Sequence, residues 1–230
     1  MEEQRDELKR FAAEAAVDQV KSGMVVGLGF GSTAIHALRA IGVKIRSGEL
    51  RDVLGVPTAD AIAEAAVKAG IPLTTLEQHP DIDLTIDGAD EVDRQLNLIK
   101  GGGGALLREK IIAQASARLV IVIDQSKLSD QLGTLFRLPV EVIPFGWGSQ
   151  ARFLEQLEAK VERRQHPDGS PFITDGGNYI LDCDFGGIVD PPGLARQMES
   201  RAGIVEHGLF LGLAQEVLVG RHDGLQSLSR

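Results

Sequence analysis

The sequence predicts an α/β fold: a Rossmann-like, mostly parallel sheet with helices on both faces, plus a smaller ferredoxin-like α+β domain. Three observations predict it. Short apolar runs alternate with helix-patterned segments through roughly the first 130 residues, the pattern of strands covered on both faces and joined by crossover helices. Several of these runs end in glycine-rich or acidic turns, where open parallel sheets collect their ligands. From about residue 134 the order changes to β-α-β-β-α-β, the split pattern of a ferredoxin-like unit. On this reading residues 1–133 and 207–230 form the α/β domain and residues 134–206 the α+β domain.

The elements follow in order. Leu8, Phe11, Ala12, Ala15, Ala16 and Val20 recur at helical spacing and predict a first helix. "MVVGL" is a strand, "STAIHALRAIG" a helix, "DVLGVP" a strand and "TADAIAEAAVKAG" a helix. "DLTID" and "NLIK" are strands, "GALLREKIIAQASA" a helix and "RLVIVID" a strand. Four strand ends, at "GFGST", "DGADEVD", "GGGG" and "DQSK", are expected to converge on one crevice. In the second domain "LPVEVIPF" is a strand and "SQARFLEQLEAKVERR" a helix. "PFIT-DGGN-YILDC" is a hairpin about a tight turn, and "PPGLARQMESR" a helix with proline in its first turn. "GIVEHGLF" is the last strand there, and the tail "AQEVLVGRHDGLQSL" is expected to return to the first domain.

Composition limits the partners. The 230 residues carry a net charge of −9, with Asp and Glu spread along the chain. An acidic surface disfavours nucleic acid and anionic membranes as main partners. A local anion site remains compatible with it. The single cysteine, Cys183, cannot form an internal disulfide and fits a reducing compartment. No apolar run approaches membrane-spanning length. The first residues are acidic and helix-patterned rather than signal-like, so a cytoplasmic protein is expected.

"GLGFGSTA" formally matches the dinucleotide signature G-x-G-x-x-A at Gly29–Ala34. Yet the next strand ends in Pro57-Thr58 and lacks the acidic residue that binds a ribose 2′-hydroxyl. No lysine precedes Ser32-Thr33, so the Walker pattern fails as well. What remains is a glycine turn entering a helix, whose free amides favour a phosphate, with Ser32 and Thr33 as candidate caps. In "TIDGADEVD", Asp87 and Asp90 sit at a strand end; a plain Asp-Gly turn with solvated carboxylates is the simpler alternative. Four consecutive glycines in "KGGGGALLREK" are entropically costly and imply backbone passing close to something. Lys100 precedes them and Glu109 follows. Arg108 and Lys110 can take the solvent-facing or ion-paired positions of that helix and leave Glu109 facing the glycine loop. Asp124 and Lys127 follow a buried strand. The five histidines have no ligand spacing, and no metal site is expected. Cys183 and Trp147 are expected to be packing residues.

Taken together, "GLGFGSTA", "DGADEVD", "KGGGGALLREK", "DQSK", "TDGGNYILDC" and "GIVEHGLF" resemble the A-type ribose-5-phosphate isomerases, in order and over nearly the whole chain. The resemblance implies interconversion of ribose 5-phosphate and ribulose 5-phosphate, in the non-oxidative pentose phosphate pathway, with no metal and no organic cofactor. It implies that Glu109 shuttles a proton between C1 and C2, with Asp87, Asp90 and Lys100 at the reacting end. Phe30, Gly31, Ser32, Thr33, Gly88, Ala89, Lys127 and the backbone of Lys100, Gly101, Gly102 and Gly103 would complete the substrate site. Lys9 is a further candidate for the phosphate. A homodimer or homotetramer is implied too.

The residue chemistry agrees. A carboxylate can remove a carbon-bound proton and return it next door. A lysine and loop amides can stabilise the oxyanion that develops. Ring opening needs another acid or base; Asp87 is a candidate, and a carboxylate pair can split the roles. One departure stands out: Phe30 occupies a position where the family usually has threonine. Two other readings compete. A sugar-phosphate-sensing module predicts a basic DNA-binding segment and no catalytic base, against the acidic N-terminus and Glu109. A nicotinamide-dependent dehydrogenase lacks its ribose carboxylate.

Overall fold

The computed structural model describes residues 2–230. By compactness the chain divides into two units. The first comprises the residues up to 89 with 108–127 and 212–230; the second comprises 90–107 and 128–211.

The first unit is built on a six-stranded sheet. Its strands in chain order are β1 (Val25–Leu28), β2 (Leu54–Pro57), β3 (Leu84–Asp87), β6 (Leu119–Asp124), β12 (Glu216–Arg221) and β13 (Gly224–Ser229). Between them in the sequence lie β4 (Glu91–Val92), β5 (Leu98–Ile99), β7 (Leu138–Val142), β8 (Lys160–Arg163), β9 (Tyr179–Asp184), β10 (Ile204–His207) and β11 (Leu209–Phe210), all in the second unit. The six-stranded order is β13-β12-β6-β3-β1-β2, parallel except for the β12–β13 hairpin. The tail thus returns to the first sheet. The chain runs from β1 outward to β2 and then crosses back to β3 on the other side of β1. That reversal is a switch point, where the carboxyl ends of adjacent strands leave a crevice. The loop after β1 and Asp87 at the end of β3 stand there.

Helices cover both faces, as the continuous apolar strands require. The helices are α1 (Glu2–Val17), α2 (Ala34–Arg46), α3 (Asp60–Ala69) and α4 (Leu106–Gln114). Gly27 lies level with Thr85, and Thr85 with Leu119. A Cβ on Gly27 would lie 2.8 Å from Ile112 of α4. Gly220 lies level with Asp124, an odd number of residues from Leu119 and so on the opposite face. A Cβ there would lie 2.1 Å from the Leu8 carbonyl of α1. Val25, Val56, Ile82 and Ile112 form a buried cluster on the α4 side.

The second unit holds a four-stranded antiparallel sheet in the order β10-β7-β9-β8. Helices α5 (Trp147–Gln156) and α6 (Pro191–Glu199) cover one face. Leu138, Val140, Val142, Leu181 and Cys183 point into that core with Leu154, Leu194 and Met198. Cys183 is fully buried there, and burial pushes its thiol pKa up. Trp147 packs at the margin of the same core. Asp190 caps α6 by accepting from the Gly193 amide, with Pro191 in the first turn, as the sequence pattern requires.

Four expectations are corrected. The helix expected over 149–164 ends at Gln156, and residues 160–163 form β8. Glu158 at φ 73° breaks the helix, and half-buried Val161 and Arg163 alternate with exposed Lys160 and Glu162 as an edge strand does. The hairpin expected within 171–183 shrinks to a single bridge, Ile173–Tyr179, because β9 pairs with β7 and β8 instead. "NLIK" is no member of the parallel sheet: β5 belongs to a three-stranded antiparallel sheet, β11-β5-β4. Runs of two residues carry too little pattern to reveal their partners. "GIVEHGLF" is also two strands, β10 on β7 and β11 on β5.

Candidate active site

In the first unit the loop after β1 is organised by a carboxylate. Asp87 is 1% exposed, and its Oδ1 accepts from the amides of Phe30 (3.0 Å) and Gly88 (2.7 Å). Gly29 donates to the Ile86 carbonyl, and a Cβ on Gly29 would lie 2.2 Å from Asp87 Oδ1. Only glycine permits this approach. Asp87 is therefore no solvated turn residue. Phe30 is half-buried and takes part through its backbone, so the missing threonine hydroxyl leaves the loop geometry intact.

Helix α2 begins just beyond. Thr33 at its N-cap has helical dihedrals and makes no side-chain cap, which corrects the capping role expected of Ser32 and Thr33. Ser32 is exposed, and its hydroxyl accepts from Lys9 Nζ of α1 at 2.9 Å. The amides of Gly31, Ser32 and Thr33 donate to no protein group among the described residues. A bare helix start beside an ammonium is an arrangement that attracts an anion. Asp124, at the end of β6, is 2% exposed. Its Oδ1 accepts from the Ser126 amide and lies 3.4 Å from Arg5 Nε. Burial raises its pKa, but the Ser126 hydrogen bonds and the charges of Arg5 and Lys9 outweigh that and lower it. Lys127 follows on a 3₁₀ turn, Gln125–Lys127.

Glu109 lies in the first turn of α4 and is 3% exposed. A glutamate is rarely so deeply buried in a short helix without a task. Arg108 pairs with Asp60 at 2.6 Å, the role expected of it. Lys110, expected to face solvent or pair with an ion, is buried, and Ile111 points outward at 45% exposure. The α4 sequence has almost no amphipathic pattern, so its buried side was not legible in advance.

In the second unit the acidic run continues with backbone-binding carboxylates. Asp90 Oδ2 accepts from the Gly102 amide at 2.7 Å, and a Cβ on Gly102 would lie 2.6 Å from Asp90 Oδ1. Glu91 is fully buried and accepts from the amides of Gly133, Thr134, Leu135 and Phe136. Asp93 accepts from the amides of Gln95 and Asn97 and closes the turn between β4 and β5. Lys100 is 2% exposed, with Nζ 5.6 Å from the centre of the Phe210 ring, where the π face favours a cation. Its amide donates to the Gly208 carbonyl at 2.9 Å. Gly101 and Gly104 are buried, whereas Gly103 is exposed.

Among the described residues no cluster of three or more His, Cys, Asp or Glu is disposed to hold a metal ion. No helix is long and apolar enough to cross a membrane.

A doubly wound sheet with a glycine turn and a buried carboxylate at its switch point defines an α/β protein of the small-molecule-binding kind. Known proteins make the class particular. The family model for "Ribose 5-phosphate isomerase A (phosphoriboisomerase A)" matches residues 54–224. A ribose-5-phosphate isomerase A from Chloroflexus aurantiacus is 57% identical over 96% of this chain and 92% of its own length. The solved ribose 5-phosphate isomerase from Plasmodium falciparum superposes with a TM-score of 0.95 at 41% identity, covering 98% of this chain and 99% of that one. A D-ribose-5-phosphate isomerase solved in complex with phospho-erythronic acid also reaches a TM-score of 0.95, at 39% identity over 97% of this chain and 98% of that one. The chain belongs to the ribose 5-phosphate isomerase A family, and it is an isomerase.

Proposed function

We propose that this isomerase interconverts D-ribose 5-phosphate and D-ribulose 5-phosphate through an enediolate, with Glu109 as the general base. The observation that carries the reading is the burial of Glu109 at 3% exposure in a chain of this family. Glu109 takes the proton from C2 of the open-chain aldose and returns it to C1. A shielded carboxylate keeps that proton from bulk water between the two steps. Lys100 and the amides of Gly101 and Gly103 stabilise the oxyanion that develops, while Gly102, its amide held by Asp90, lines the same stretch. Asp87, held by two amides, is the candidate for assisting ring opening; Asp90, Gly88 and Ala89 border the same end of the sugar.

The 5-phosphate is assigned to the loop of Phe30, Gly31, Ser32 and Thr33, with Lys9 and Lys127. Its binding energy holds a short sugar in register. The setting is the non-oxidative branch of pentose phosphate metabolism, in the cytoplasm, as a homodimer or homotetramer.

Purified protein is expected to convert ribose 5-phosphate to the ketose, followed by absorbance of the ketose product, and to retain full rate after exhaustive treatment with EDTA. A rate lost on chelation and restored by a divalent ion would overturn the metal-free mechanism. Phe30→Thr tests the loop. Because Phe30 contributes its amide, the variant is expected to keep kcat and to lower KM by about threefold, the worth of one exposed hydrogen bond. A fall in kcat above tenfold would show that the Phe30 ring, not the amide, matters.

A further inference from the structure

We infer that Arg164 is a positioning residue for the isomerisation, acting through the peptide planes of the glycine tract. The inference rests on the reading that this tract borders the reacting end of the sugar. Arg164 follows β8, and its amide donates to the Ile180 carbonyl. Its side chain lies on the face of the four-stranded sheet opposite the helices, the face that carries Asp182. One side of the guanidinium is paired: Nε donates to Asp182 Oδ2 at 2.9 Å, and Nη2 to Oδ1. The remaining nitrogen reaches elsewhere. Nη1 donates to the carbonyl oxygens of Gly101, at 2.9 Å, and Gly102, at 3.0 Å.

Two consecutive carbonyls are thus turned toward one cation. In a trans peptide the N–H points opposite to the C=O. The Gly102 amide must therefore face away from Arg164, and it donates to Asp90 Oδ2. The Gly103 amide is turned the same way by the Gly102 carbonyl. It belongs to the exposed glycine of the tract and donates to no protein group among the described residues. Glycine peptides have no side chain to resist a flip, and Gly101 already sits at φ 102°. The forked pair with Asp182 fixes the guanidinium, and the Phe172 ring lies 5.7 Å beneath it. Arg164 thereby fixes both peptide planes, one amide seated on Asp90 and the Gly103 amide left in the orientation that a developing oxyanion needs, before substrate arrives. An arginine serving only to tie strand to strand would have no use for the two loop carbonyls.

The test is Arg164→Ala, with Arg164→Lys beside it, and Lys100→Met as a control on the site. Arg164→Ala is expected to lose about 30- to 100-fold in kcat with KM within about threefold, because donor orientation acts on the transition state more than on ground-state binding. Guanidinium chloride at tens of millimolar should restore at least about tenfold of that loss, and sodium chloride should not. Arg164→Lys, which can reach a single carbonyl, should fall between. Wild-type kcat in either arginine variant, or a loss that guanidinium leaves unchanged in folded protein, overturns the inference. Lys100→Met separates the two levels. If it loses activity while the arginine variants do not, only the role of Arg164 fails. If Lys100→Met keeps wild-type kcat, the placement of the tract at the reacting sugar fails with it.

Discussion

Glu109→Gln is expected to lower kcat by about four orders of magnitude, or about 5 kcal/mol of transition-state stabilisation. The substitution keeps the shape and the hydrogen-bonding length of the side chain and removes its basicity. Glu109 is buried in α4, and its amide replacement fits the same space, so the fold should persist. Ground-state binding does not use the base. Affinity for a substrate analogue that cannot isomerise, measured by calorimetry, is therefore expected to stay within about threefold. Transfer of deuterium from C2 of labelled ribose 5-phosphate to C1 of the ketose should disappear together with turnover. Turnover near that of the wild type would remove Glu109 as the base. Loss of analogue binding in equal measure would assign it to binding instead.

Lys100→Met carries the second large effect, and it separates activity from stability. The lysine is 2% exposed, with its ammonium beside the Phe210 ring. Holding a cation in such a place costs desolvation energy, which a protein designed for stability alone would avoid. Methionine matches the stem and fills the space without the charge. The variant is expected to lose about 10²- to 10³-fold in kcat, the usual worth of one electrostatic stabiliser of an oxyanion. Its thermal midpoint is expected to stay at or above that of the wild type. A fall in both kcat and midpoint would mean that Lys100 holds the β5 region together and does no chemistry. An unchanged kcat would move the oxyanion donors elsewhere.

Much of this was legible in the chain. The alternation of apolar runs with helical patterns named the α/β sheet, because burial on both faces leaves a signal in every residue of a strand such as Leu119–Asp124. The order β-α-β-β-α-β also emerged, although its middle was misread. Residues 157–164 continue the composition of helix α5, and only the pairing of β8 with β9 turns them into a strand. That misreading hid Arg164 inside a predicted helix, where an arginine attracts no notice. The available signal was the alternation of polar Lys160 and Glu162 with Val161, which suits an edge strand. The acidic run "DGADEVD" was legible as special, but not what each acid does. Asp87, Asp90, Glu91 and Asp93 all bind backbone amides, and such bonds leave no mark on residue spacing.

The sequence by itself determined most of the element types, the anion-favouring glycine turn and the rare pairing of an acidic strand end with a glycine tract. These depend on local properties: side-chain polarity, glycine's missing Cβ and the period of apolar residues. Tertiary structure alone decided which groups are buried and which way backbone donors point. Glu109, Lys100 and Lys110 are withdrawn from water while Ile111 is left exposed, because burial depends on neighbours distant in sequence. The glycine turn that opens toward α2 has its shape from Asp87, more than fifty residues away. A carboxylate placed by one strand organises the loop after another, and no local rule contains that contact.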